Sequence, residues 1–444
     1  MSNSKSIPFK EINKLAIPSI IAGISEPLLS IVDTAIIGNV GFDAVEALAA
    51  VGIAGSFISA IVWVLGQTRA AISAIVAQYV GEKKIAAIIG LPAQMIFINV
   101  LLSLAIYFST VFVVDHIFQF YNAEGLVLNY AVDYFKIRAL GLPFALFVFT
   151  VFGVFTGLQN TFWPMVISVI GAFLNAGLDL VLVYGVEGYL EPMHVAGAAY
   201  ASIIAQAVMA FMALVLFYKK TPFTLAVKFP FDNEIKRLLK LSLNLFLRAI
   251  ALHITLYFAN SYAASYGTAY IAAQTICFQI WLFFAFFIDG YASVGSIISG
   301  KQKGERNFSG LEILVKDLNK YALIVAVILS AICFSGYYFV GEIFTSDPEV
   351  LKIFYAVFWL VLISQPVNAV AFVYDGVFKG LAEGVVLRNT VMAATFLGFI
   401  PTLLLCDFFD LKLLGIWIAF TVWMLFRSGI LAVFFKRNFL PKNH

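Results

Sequence analysis

"VGEKK", Val80–Lys84, and "KGERN", Lys303–Asn307, are two versions of one short basic turn, each closing a long apolar run. Gly81 and Gly304 are their common point and lie 223 positions apart. The same offset carries Ala49-Ala50 onto Ala272-Ala273, Pro143 onto Pro366, Gly153 onto Gly376, and Gly157-Leu158 onto Gly380-Leu381. One ungapped offset across most of a half-chain marks an internal repeat. The chain therefore divides into 1–217, a basic linker at 218–236, and 237–444.

Composition says what each half is made of. Hydrophobic residues make up 62% of the chain and charged residues 12%, with a mean hydropathy of +0.96. Soluble domains carry about 45–50% apolar and about 25% charged residues. So few charges cannot solvate a surface that faces water on all sides, which points to an all-α integral membrane protein. A spanning helix needs about 20 mostly apolar residues. Twelve such segments fit, near 14–38, 49–79, 88–113, 126–157, 163–184, 195–217, 237–263, 270–300, 313–339, 350–380, 386–406 and 413–435. "MSNSKSIPFKEINKLAIPS" is basic and then apolar, so it reads as a retained first span rather than a cleaved leader.

Lys and Arg set the orientation. One set of connections carries Lys83, Lys84, Lys219, Lys220, Arg306 and Arg388, among others, and the opposite set carries acids such as Asp43, Glu124, Glu187 and Asp347. This is a positive-inside pattern with both termini cytoplasmic in a multi-pass cell membrane protein. Each half holds six spans, an even number, so both enter from the same side and the repeat is parallel. Carriers built in this way bind substrate near mid-membrane and alternate access. Cys277, Cys333 and Cys406 lie singly in apolar runs and form no disulfide framework. No HExxH, GxSxG, P-loop or dinucleotide fingerprint is present, and neither an enzyme nor a nucleic-acid partner is expected.

The offset also separates scaffold from function. Features found in both halves are scaffold; features of one half are candidates for a site. Asp33, in "SIVDTAIIGN", has Leu256 as its counterpart. Asn175, Asp179 and Ser202 have Gly398, Thr402 and Leu425. Asp33 and Asp179 each lie ~8 Å in from the outer end of their spans, at ~1.5 Å per residue. Asn175 shares a face with Asp179, and Ser202 reaches the same level. Two carboxylates inside a membrane are costly unless paired, protonated or bound to a cation. Close together they repel, and one of them then tends to keep a proton. With an amide and a hydroxyl added, the set offers hard oxygen ligands to a proton or to Na+, the latter at Asp33, Asn175 and Asp179. Pro27, six residues before Asp33, is expected to bend the first span.

Other intramembrane charges read as two ion pairs of opposite polarity, Glu26–Arg69 and Arg248–Asp289. Asp375, in "YDGVFKG", is expected to pair with Lys379 one turn on, or to serve the site.

"IPSIIAGISEPLLSIVDTAIIGNVG", "TGLQNTFWPM…NAGLDLVLVYG…VAGAAYASIIAQ", "LFLRAIAL", "FFIDGYASVGSIISGKQKGE" and "VYDGVFKGLAEG" resemble the spans of the DinF-type branch of the multidrug and toxic compound extrusion (MATE) family. The resemblance implies two six-helix lobes around a V-shaped cavity and cation-coupled antiport of organic, drug-like, often cationic compounds, with no cofactor beyond the coupling ion. It also implies Asp33, Asn175 and Asp179 as the cation site and Pro27 as the bend. A monomer in an inner-membrane bilayer is expected. Export of a lipid-linked intermediate, or of an endogenous metabolite, is the alternative.

Overall fold

The computed structural model of the chain describes residues 6–39, 43–121 and 123–440, without the side chains of 26–31 and 44. The described residues are almost entirely helical. Twelve long helical segments follow one another: α1 Phe9–Gly38, α2 Val45–Gly81, α3 Leu91–Val111, α4 Gly125–Gly157, α5 Phe162–Tyr184, α6 His194–Lys220, α7 Asn233–Ser265, α8 Thr268–Gly304, α9 Phe308–Ser335, α10 Pro348–Ile363 with Gln365–Gly380, α11 Gly384–Phe408 and α12 Lys412–Phe439. All twelve match the apolar segments marked in the sequence. Ten of them, and α10 if its two parts count as one, are long and apolar enough to cross a bilayer. The protein is a multi-pass membrane protein.

The repeat is visible element by element. α2 and α8 have the same limits once 223 is added, and so do α4 and α10. α4 loosens at Ala139–Gly141 and α10 bends by 50° at Ser364, both just before a proline, Pro143 or Pro366. Proline supplies no N–H to the carbonyl four residues back and its ring clashes with that turn. In α10 the released carbonyl of Leu362 is taken by the Ser330 hydroxyl of α9 at 3.2 Å. A membrane interior requires that kind of replacement.

Repeated glycines mark where backbones touch. A Cβ on Gly376 would fall on the backbone of Ala292, 2.6 Å from its carbonyl carbon, and one on Gly153 would fall 2.6 Å from the carbonyl oxygen of Arg69. Arg69 and Ala292 are themselves 223 apart. Gly157 meets Ser73 in the same way, and Gly380 meets Ser296. At the two basic turns the relation is reciprocal. Gly81 packs on Lys301 and Glu305, at 2.9 and 3.0 Å for an added Cβ, and Gly304 packs on Gln78 and Glu82 at the same two distances. Such an exchange of partners is the mark of two-fold pairing.

The chain forms two compact units. One comprises Met1–Ile20, Ala77–Lys83 and Lys240–His444; the other comprises Ile21–Val76 and Lys84–Leu239. In the first, the start of α1 is held by α8 and α9. Asp317 Oδ2 accepts from Ser6 Oγ at 3.0 Å and from the Ile7 N–H at 2.7 Å, Tyr291 donates to Asn13 at 3.0 Å, and Gly290 lies against Ile20 and Ala16. In the second, an apolar core including Ile37, Ala50, Ala54, Phe118, Phe135 and Val183 joins the C-terminal ends of α1 and α5 to the N-terminal parts of α2, α4 and α6. That core positions the site.

Candidate cation site

Two acids of the second unit meet at one amide. α1 supplies Asp33, and α5 supplies Asn175 and Asp179, which share a helix face at a spacing of four. Asn175 Nδ2 donates to Asp33 Oδ1 at 3.0 Å and to Asp179 Oδ2 at 2.6 Å. One side-chain amide thus bridges the two carboxyl groups. Further out, the Tyr184 hydroxyl at the end of α5 donates to the Ile36 carbonyl of α1 at 2.8 Å, which fixes the register of the two helices.

α6 runs antiparallel beside α5. Gly197 packs on Leu182 and Gly171 packs on Met209. Between those two crossings Asp179 lies level with Ala201 and Ser202. Asn175 and Asp179 are each 1% exposed and Ser202 is 2% exposed. Asp179 Oδ1 and Ser202 Oγ are buried and make no hydrogen bond. Buried polar atoms are nearly always satisfied, so each exception calls for a partner. The cluster is rich in oxygen acceptors, and its one internal amide is already shared between two carboxylates. Such a donor-poor oxygen set has the chemistry to take up a proton or a monovalent hard cation. Among the described residues, no three His, Cys, Asp or Glu side chains form a metal-binding group.

Arg138 of α4 was not marked in the sequence. It acts electrostatically on both carboxylates and lies against the buried Tyr134. The available signal was an unassigned cation inside the fourth apolar segment. Its charge offsets part of the repulsion within the acid pair.

The remaining expectations fare differently. Pro27 and Glu26 fall among side chains outside the described residues, so neither a Pro27-centred hinge nor the Glu26–Arg69 pair is described; Arg69 stacks over Phe152 at 5.4 Å. The Arg248–Asp289 pair is corrected. Arg248 binds Asp375, with Nε to Oδ1 at 3.3 Å and Nη2 to Oδ2. Asp289 is exposed and forms no ion pair among the described residues. Asp375 takes its neighbour Lys379 at 3.4 Å, as expected, and also Arg427 at 3.6 Å, which was not marked.

The comparisons with known proteins agree with this architecture. Over 301 residues the chain is 28% identical to Protein DETOXIFICATION 42 of Arabidopsis thaliana, covering 67% of this chain and 56% of that protein. It thus spans little more than half the length of that plant relative. Over 434 residues it is 27% identical to the DNA damage-inducible protein F of Escherichia coli K12, covering 96% of this chain and 91% of that protein. Its fold superposes with a TM-score of 0.88, at 20% identity, on an outward-facing multidrug resistance MATE family transporter, over 97% of this chain and 95% of that one. The family model MatE matches residues 18–181 and 246–405. With both halves of the repeat matched, the chain belongs to the MatE family of membrane transporters.

Proposed function

We propose that the protein is a secondary antiporter that exports organic compounds by alternating access, driven by inward flow of a proton or Na+. Asp33, Asn175, Asp179 and Ser202 take the cation. The observation that carries the reading is the pair of carboxylates bridged by Asn175, with unpartnered oxygens on Asp179 and Ser202. Arg138 offsets only part of the charge of two carboxylates, and an acid pair in a membrane interior is stable when a cation neutralises the rest, so occupancy and release change the charge that the helices must carry. Relatives named for detoxification and multidrug resistance support an organic cargo moving outward. The positive-inside pattern supports cytoplasmic termini in a cell membrane.

The test is export of a fluorescent organic probe from proteoliposomes with pH and Na+ gradients imposed one at a time. Asp33→Asn and Asp179→Asn should each abolish gradient-driven export while the variants remain monodisperse in detergent. Undiminished, gradient-dependent export by Asp33→Asn would overturn the assignment.

A further inference from the structure

Within the unit that contains residues 240–444, one carboxylate is surrounded by three cations. Arg248 of α7 grips Asp375 of α10 at two points. Lys379 reaches Asp375 Oδ2 from the next turn of α10 at 3.4 Å, and Arg427 of α12 stands 3.6 Å from Oδ1. Among the described residues, three positive charges against one negative leave a surplus of two in membrane-spanning helices. Asp375 and Arg427 are each 2% exposed and Arg248 is 5% exposed. Surplus charge at such depth is expensive, and structural pairs usually balance.

Arg427 is the least satisfied member. A guanidinium has five N–H bonds to place. Its Nη1 meets only Met424 Sδ at 3.2 Å, a weak acceptor. Its approach to Asp375 is too long for a hydrogen bond. Its Nε is buried and has no partner. What holds the plane in place is aromatic, with Trp423 at 4.6 Å and Phe372 at 5.8 Å. A guanidinium fixed by its faces, with its edges uncommitted, is pre-organised to receive a planar oxyanion in a forked hydrogen bond. None of these charges belongs to the repeated scaffold. The counterparts of Arg248, Asp375, Lys379 and Arg427 are Ser25, Phe152, Thr156 and Ile204.

The geometry points to an oxyanion site formed by Arg248, Lys379 and Arg427, which takes the carboxylate or phosphate group of an organic anion or zwitterion. Asp375 is the resident anion that holds the three cations together and competes with the ligand. Lys379 is the partly exposed member, the one an entering anion would meet first. The site shares no residue with the Asp33–Asp179 pair, and its binding can be measured without any gradient, so it stands or fails independently of cation coupling.

The full chain in non-ionic detergent is titrated with benzoate and with phenyl phosphate, against tetraphenylphosphonium as the cationic control. Tryptophan fluorescence reports binding through Trp423. Saturable binding of at least one anion is expected. Lys379→Gln should weaken it about fivefold or more, and Arg427→Gln should abolish it. Asp375→Asn should tighten it about tenfold, because the competitor is gone; a structural ion pair predicts no such gain. Competition by phosphatidylglycerol but not phosphatidylcholine would assign the site to a lipid headgroup phosphate, and indifference to both would assign it to a soluble anion. No saturable anion binding by the wild type, unchanged affinity in Lys379→Gln, or weaker binding in Asp375→Asn would each overturn the proposal. Lys379→Gln changes a partly exposed side chain, so the test survives if the buried variants fail to fold.

Discussion

Replacing Gly376 by alanine tests the packing that the repeat dictates. The new Cβ would sit 2.6 Å from the carbonyl carbon and 2.7 Å from the Cα of Ala292. Ordinary contact begins at 3.4 Å. The Ala292 carbonyl oxygen is nearer still, so α10 and α8 must part by more than about 0.8 Å, and the obstacle is backbone that cannot rotate aside. A gap of that size forfeits about a quarter to a half of each contact's dispersion energy. An inserted methylene typically costs about 1–3 kcal/mol, and backbone-on-backbone contact belongs at the upper end. Alanine's helix propensity returns roughly 1 kcal/mol, leaving a net loss of about 2 kcal/mol. Gly153→Ala, the same position in the other half, should behave alike, since its Cβ would fall 2.6 Å from the Arg69 carbonyl oxygen. Gly55→Ala is the control, because nothing lies within 4 Å of its Cβ; it should be neutral or slightly stabilising. Thermal unfolding of the three variants in detergent gives the comparison. Equal melting temperatures for Gly376→Ala and Gly55→Ala would refute the reasoning.

Other expectations follow from single contacts. Arg248→Met strips Asp375 of its two-point partner; breaking a buried pair costs about 3–5 kcal/mol, so a marked loss of folded yield in detergent is expected. Ser330→Ala leaves the Leu362 carbonyl unsatisfied at the bend of α10, at a cost of about 1–3 kcal/mol, read as a lowered melting temperature. Asp347 caps α10 by accepting from the Glu349 and Val350 N–H groups at 2.8 and 3.1 Å; Asp347→Ala should cost about 1 kcal/mol in the same assay.

The fold was legible because the repeat is written in residues that backbones touch. Gly81, Gly153, Gly304 and Gly376 recur at one offset because α-carbons approach there and no side chain fits. Pro143 and Pro366 announced the breaks in α4 and α10. Asp33, Asn175 and Asp179 were legible because helical spacing and depth both come from counting residues. The pairing of Arg248 was not. Depth along straight helices put Arg248 and Asp289 at one height, but depth says nothing of which way each side chain points around its helix. α10 is also bent by 50°, so a count at 1.5 Å per residue misplaces Asp375. Arg138 and Arg427 were hidden differently. Arg427 is a single cation within an apolar run, and its partner Asp375 lies 52 positions away in the chain; Arg138 stands two residues from Lys136, and the acids it acts on lie on two other helices.

Substrate-driven cation movement is the direct readout of coupling at Asp33. Proteoliposomes loaded with an exported organic probe, with no ion gradient imposed, are followed for counterflow of protons by an internal pH dye and of Na+ by tracer. Downhill movement of the probe is expected to drive one of these cations in the opposite direction, and Asp33→Asn is expected to abolish the cation flux. Probe flux with no cation counterflow in the wild type, or counterflow that persists in Asp33→Asn, would contradict it.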